Sequence, residues 1–451
     1  MTDEVGPFSP PAAGLNASIG EALAWLDRHI NLEAIESGRA GRHALPTLER
    51  IAALLKVLGD PQASYPVVHI TGTNGKGSTA RMCSALLISA GLNPGLYTSP
   101  HLERINERMT VGGTAISDAD LARELAAMAE LEVFVGESAT WFEIVTATAF
   151  SWFAEEAVDS AVVEVGLGGR FDATNVADAR VAVVTNVELD HIDILGPTRE
   201  QIASEKAGIL KEGSSLVLGE QDAAIARIFE EEAAAVGATA VWRRGADFGA
   251  ERNRPAVGGR VFDLYTPFGR YEDVYLPLFG AHQADNAACA LAAAQALFGA
   301  VLGEEVIADA FASVTAPGRL EVVGRRPLVV LDGAHNAAGA QAAGAALRED
   351  FPGHRVVVVL GCLRGRDPAE LLRGLGPELI STVVACTAPS PRAQPAAALA
   401  AAASDLGLAT EECAEVAEAL QRALELAGED DLVLVTGSLY VVGAARTLLS
   451  K

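Results

Sequence analysis

The chain has 451 residues, 50% of them apolar, and a formal charge of −25 at pH 7. That length is more than one ordinary hydrophobic core serves, so two domains are expected, and the apolar fraction excludes a disordered chain. The acidic balance argues against a nucleic-acid partner, which would need a basic surface, yet leaves room for an anionic ligand in a local basic pocket.

The opening segment, MTDEVGPFSPPAAGLN, carries acids and prolines where a signal peptide has a basic stretch and an apolar run. No apolar stretch reaches the roughly 18 residues of a membrane helix. The 5 cysteines are scattered, without a C-x-x-C pair, as reduced core thiols would be. A cytoplasmic setting without a membrane partner is expected. The first sixty or so residues read as a loose end followed by helices, such as the amphipathic run 47–59.

From Val67 the pattern changes to compact β-branched runs at 67–70, 161–165, 181–187 and 215–218, separated by helical segments. Buried strands alternating with helices predict a mainly parallel sheet. Between Val257 and Leu278, Gly, Pro and alternating apolar residues predict antiparallel strands at that sheet's edge, and an Ala-rich helix is expected over 281–298. Pro317-Gly318 breaks the pattern, which sets the predicted domains at 1–316 and 317–451. Beyond it β–α alternation restarts at 328–333, 356–361, 382–389 and 432–438, a smaller Rossmann-like α/β unit.

The chemistry concentrates in ITGTNGKGST (70–79), a glycine-rich turn between a strand and a helix. Such a turn presents backbone N–H groups at a helix N-terminus, where phosphate is favoured, with Lys76 as a point charge for it. It departs from the standard P-loop: Ile70 stands where the first glycine belongs and Gly77 where a Ser or Thr binds magnesium, so that hydroxyl must come from elsewhere. Glu164 ends one predicted strand, and a buried acid there must be paired or metal-bound. His191 follows another, between Asp190 and Asp193, which as neighbours could orient its ring. Lys206, in an E-K-A-G run, reads on its own as a solvated helix face.

Eight motifs occur in order: 70–79, 97–109, 142–150, 164–175, 189–210, 316–323, LDGAHN (331–336) and VTGSL (435–439). Together, from about Leu45 onward, the chain resembles the folylpolyglutamate synthase and dihydrofolate synthase family, within the Mur ligase superfamily. The resemblance implies a P-loop-type Mur ligase central domain of α/β class and a smaller C-terminal α/β domain that binds glutamate.

It also implies site residues. The nucleotide loop falls on Asn74, Gly75, Lys76 and Gly77, with further ATP contacts at Asn286, Arg319 and Asp332. Two magnesium ions are implied at Ser99, Glu164, His191 and Lys206, the lysine carrying a carbamate derived from carbon dioxide. His335 and Asn336 fall near the phosphates or the incoming glutamate, His335 joining Lys76 and Lys206 as catalytic. Phe142, Glu143, Phe171, Asp172 and Ala173 fall at the acid-substrate site. The implied reaction joins L-glutamate to a folate, and also to dihydropteroate, through an acyl phosphate, in a monomer. A Mur ligase acting on a UDP-sugar peptide would carry a UDP-binding domain ahead of the loop, for which Lys76 comes too early. A regulatory P-loop NTPase would leave D-G-A-H-N unexplained.

Overall fold

A computed structural model describes residues 18–31, 33, 47–135 and 138–450. The loose start expected before residue 18 lies outside them. Eight strands form the first sheet: β1 (Val67–Thr71), β2 (Pro94–Tyr97), β3 (Met109–Val111), β4 (Thr114–Ala115), β5 (Ser160–Glu164), β6 (Ala179–Val184), β7 (Ser215–Leu218) and β8 (Ala240–Arg243). Their order is β4-β3-β2-β5-β1-β6-β7-β8, parallel from β2 to β8 and antiparallel at β3 and β4. Every residue of β1 and β5 is buried, as strands covered on both faces require. One face packs on helices Lys76–Ser89 and His282–Phe298, the other on helices Asp118–Glu132 and Trp141–Glu155.

The expected antiparallel strands exist but do not extend that sheet. β9 (Gly249–Ala256), β10 (Gly259–Thr266) and β11 (Gly269–Leu276) form a three-stranded sheet of their own. Phe262, Leu264, Tyr271 and Val274 turn its apolar side onto helix His282–Phe298, so burial is met by a helix rather than by a neighbouring strand.

The second sheet has β12 (Glu321–Arg325), β13 (Leu328–Leu331), β14 (Val356–Leu360), β15 (Ile380–Ala385), β16 (Ala409–Glu412) and β17 (Leu432–Thr436), in the order β12-β13-β17-β14-β15-β16. Only β12 is antiparallel to its neighbour. Among the described residues no helix is long and apolar enough to cross a membrane. No cysteine is paired; four are buried, while Cys413 is partly exposed rather than the core thiol expected.

His69, inside β1, is fully buried with Nε2 2.8 Å from Thr174 Oγ1. Burial, reinforced by Lys211, holds its imidazole at about 3, below the ordinary 6.5. Because the folded value is depressed, the neutral ring contributes fully above pH 6.5, and that contribution is lost as pH falls toward 3. At pH 5 the loss is about 2 kcal/mol. His69→Gln, which can donate to Thr174 without titrating, is expected to lose less thermal stability than the parent between pH 7 and pH 5. Equal losses in melting experiments would reject this.

Candidate active site

Residues just beyond β1, β5 and β6 and residues just beyond β13 line one cavity of about 370 Å³. This is the strand-end position where open α/β sheets bind ligands. β1 lies at its centre, and the loop after it is held from several sides. Thr185 Oγ1 and Asn186 Nδ2 donate to the Asn74 carbonyl at 2.6 and 3.1 Å. The Lys76 ammonium donates to the Gly72 and Thr73 carbonyls, both at 3.2 Å, so it lies across the loop where phosphate would sit. Gly75 has φ 84° and begins helix Lys76–Ser89; a side chain there would be strained and would strike Asn286 Oδ1.

Gly77 now has a physical explanation. A Cβ at this position would lie 3.2 Å from Glu164 Oε2, so the carboxylate occupies the space that the hydroxyl of a standard P-loop would use. Glu164 is buried and accepts a 3.1 Å bond from Ser99 N, the one hydrogen bond it makes among the described residues. Burial raises its carboxyl above the ordinary range, opposed by Lys76, the Ser99 amide and Arg319.

Lys206 is not on a solvated face. It is 4% exposed, and Nζ donates to the Gly72 carbonyl at 2.7 Å, bringing helix Arg199–Ala207 against the loop. Burial, with Lys76 nearby, brings the ammonium down to about 7. Burial likewise holds the His191 ring at about 4, so it is neutral at pH 7.

From the C-terminal part come Arg319, just before β12, and Asp332, His335 and Asn336, just after β13. Asp332 accepts from Leu320 N and Ala334 N, both at 3.0 Å, which fixes the turn after β13. The Arg319 guanidinium reaches the cavity and has no hydrogen bond or ion pair among the described residues. His335 Nδ1 lies 2.8 Å from the Gly333 carbonyl. Asn336 Nδ2 donates to Asn74 Oδ1 at 3.1 Å and to Asp190 Oδ2 at 3.0 Å, and its own Oδ1 caps helix Ala337–Glu349.

Asp190 does more than orient His191. Its carboxylate accepts from Asn336 and pairs with Arg366, both in the C-terminal part, while His191 Nε2 is 3.8 Å away. Burial opposes its charge, but His335, His191 and Arg366 hold the carboxyl well below the ordinary range. Arg366, on Asp190, was not among the expected residues, nor were Arg244 and His282, which line the cavity. Arg366 follows β14, so the strand-end rule that singled out Glu164 and His191 points to it as well.

The five residues assigned to the acid substrate do not line this cavity. They gather beside it, behind Gly166 to Gly168. A Cβ on Gly166 would crowd the Phe142 ring and lie 3.1 Å from Asp172 Oδ2. Glu143 is buried, caps its own helix at Thr140 N (2.7 Å) and pairs with Arg50 at 3.1 Å. Asp172 accepts from Leu167 N, Thr174 N and Thr174 Oγ1, so it anchors the loop from within. Ala173 is buried, and Phe171, 46% exposed, is the member most open to a ligand.

Two cation positions fare differently. Glu164 and Ser99 offer one carboxylate and one hydroxyl beside the phosphate loop, a donor set suited to magnesium, which takes its remaining ligands from water and phosphate. Around His191 the nearby carboxylate, Asp190, is already paired with Arg366; Nε2 is 3.3 Å from Arg366 Nη2, and Lys206 is engaged with Gly72. Among the described residues no three His, Cys, Asp or Glu converge as a ready-made ligand set.

A parallel-sheet nucleotide loop completed by an arginine, an aspartate and a histidine from a second sheet defines a Mur-type ligase. Residues 70–294 match the Mur ligase middle domain and residues 318–439 the Mur ligase glutamate ligase domain. The chain is 40% identical over 448 residues to the dihydrofolate synthase/folylpolyglutamate synthase of Mycobacterium tuberculosis, covering 90% of each chain. It superposes on a crystal structure of Mycobacterium tuberculosis folylpolyglutamate synthase complexed with ADP and AMPPCP at TM-score 0.89 and 38% identity, covering 96% and 98% of the two chains. Escherichia coli FolC in complex with DHPP and ADP superposes at TM-score 0.84 and 32% identity, covering 97% and 99%. The chain belongs to the dihydrofolate synthase/folylpolyglutamate synthase family of Mur ligases.

Proposed function

We propose that this chain joins L-glutamate to a folate, and also to dihydropteroate, at the expense of ATP. The observation that carries the reading is the convergence on one cavity, from two parts of the chain, of Lys76, Glu164 and the Arg319 guanidinium, which is unpartnered among the described residues. The names of the relatives support the substrate class, and the matched residues on either side of 316 support a nucleotide domain 1–316 and a glutamate domain 317–451. The reading includes a monomer acting in the cytoplasm.

The acid's carboxylate oxygen attacks the γ-phosphorus; that O–P bond forms as the bond to the β-phosphate oxygen breaks, and ADP leaves. The glutamate amine then adds to the acyl carbon, and the amide forms as phosphate departs. Lys76 and the loop amides hold the phosphates, with Asn286 packed against Gly75. Arg319 supplies charge from the far side, and Asp332 sets the turn that carries it. His335, its Nδ1 turned to Gly333 and its Nε2 3.6 Å from Asp190 Oδ2, takes up the amine proton with that carboxylate beside it to balance the charge. Ser99 and Glu164 would hold a magnesium ion, which neutralises phosphate charge when bound. A second ion beside His191 requires a negative Lys206, which the carbamate provides; the lowered amine supports its formation.

With dihydropteroate and tetrahydrofolate offered separately, each glutamate incorporated should release one ADP and one phosphate. AMP and pyrophosphate as products would overturn the acyl-phosphate route. Turnover of ATP indifferent to glutamate would favour the regulatory NTPase.

A further inference from the structure

Helix Ala337–Glu349 is tied to the N-terminal part of the chain at both ends. Its first end is the Asn336 cap, bonded to Asn74 and Asp190 at the cavity. Its far end is Asp350, whose two carboxylate oxygens are both taken by the N-terminal part: Oδ1 by Arg260 Nη1 at 2.5 Å and Oδ2 by Gly280 N at 2.6 Å. The side chains of Arg260 and Asp350 are 2% and 1% exposed. Arg260 is itself aimed by Asn253, which accepts from Nε at 2.7 Å and donates to the Ala281 carbonyl at 2.8 Å, and Glu349 takes its other nitrogen at 3.2 Å. Gly280 and Ala281 lead directly into helix His282–Phe298, which carries Asn286 into the same cavity. Phe279 and Phe351 pack beside the pair with centroids 4.7 Å apart and rings tilted by 48°.

We propose that Arg260 and Asp350 are a positioning pair: through the rigid helix between them and the cavity, they set where Asn336 and His335 stand against the nucleotide loop. A buried ion pair is a weak source of stability compared with an apolar pair of the same volume, so stability alone does not account for it. Geometry does. A helix of 13 residues is about 20 Å long, and a tilt of about 10° at one end moves the other by about 3 Å. A displacement of about 1 Å at reacting groups already costs about a hundredfold in rate. The planar fork of arginine fixes direction as well as distance.

The inference rests on the ligase reading for its kinetic test, and a second measurement keeps the two separable. The double variant Arg260→Met/Asp350→Asn removes both charges while nearly keeping volume. It is expected to melt within a few degrees of the parent, to lose about ten- to a hundredfold in kcat, and to keep the KM for the pterin acid within about twofold, since that acid's residues lie in the N-terminal part. Hydrogen exchange should quicken at the Gly339 amide, which Asn336 caps. Arg260→Lys, which keeps the charge and loses the fork, should fall between. A folded double variant with the parent's kcat, or with the parent's exchange at Gly339, overturns the proposal. Should the double variant not fold, Asp350→Asn is read by the same criteria. A parent chain without glutamate-dependent turnover would sink the ligase reading alone, and the exchange comparison would then decide the positioning role.

Discussion

Lys206→Ala is expected to reduce glutamate-dependent ADP release by about a hundredfold or more, the scale of the several kcal/mol that metal-centred charge stabilisation supplies. The side chain is buried, and its amine, brought down to about 7, touches the Gly72 carbonyl of the nucleotide loop. As an ammonium it would add positive charge to a region that already holds Lys76 and Arg366. As a carbamate it supplies the negative oxygens that a hard cation takes. Lys206→Arg separates these roles, because a guanidinium stays protonated and forms no carbamate, so it should not restore activity. Depleting the buffer of carbon dioxide should slow the parent, and a small carboxylic acid should recover part of the alanine variant's activity. Normal ligation by Lys206→Arg would exclude the carbamate. Circular dichroism should show the alanine variant folded.

The second large effect is expected at Arg319. Its guanidinium reaches the cavity without a protein partner among the described residues, while its backbone N–H is held by Ala316 at 3.1 Å and the turn around it by Asp332. Removing it therefore breaks no side-chain bond within the fold, and the thermal midpoint of Arg319→Ala should stay within a few degrees of the parent's. A charge-assisted bond to phosphate contributes about 1.5–3 kcal/mol, so kcat/KM for ATP should fall by about ten- to a hundredfold or more. Arg319→Lys should recover only part, since an ammonium has no fork to span two oxygens. Unchanged ATP kinetics in the alanine variant would mean that the C-terminal part does not complete the nucleotide site.

The sequence by itself determined the strand–turn–helix at 67–89, the alternation of the two main sheets and the positions of Lys76, Glu164 and His191 at strand ends. Those signals are local: a buried strand must be apolar along its length, and a loop around phosphate must be built from glycine. It also showed that Gly77 displaced a hydroxyl, but only the tertiary structure revealed Glu164 as the group filling that space. The edge placement of the strands at 249–276 failed because alternation states that one face is buried and not what buries it. Glu143 and Asp172 carry the right chemistry for a polar ligand, yet their oxygens are taken up by Thr140, Arg50, Leu167 and Thr174, partners that no spacing in the chain displays. Arg366 on Asp190 and Arg260 on Asp350 bring together residues 176 and 90 positions apart. Each of these ion pairs exists only once the N-terminal and C-terminal parts have packed, because a charge has no preferred partner until burial removes the water that would otherwise solvate it.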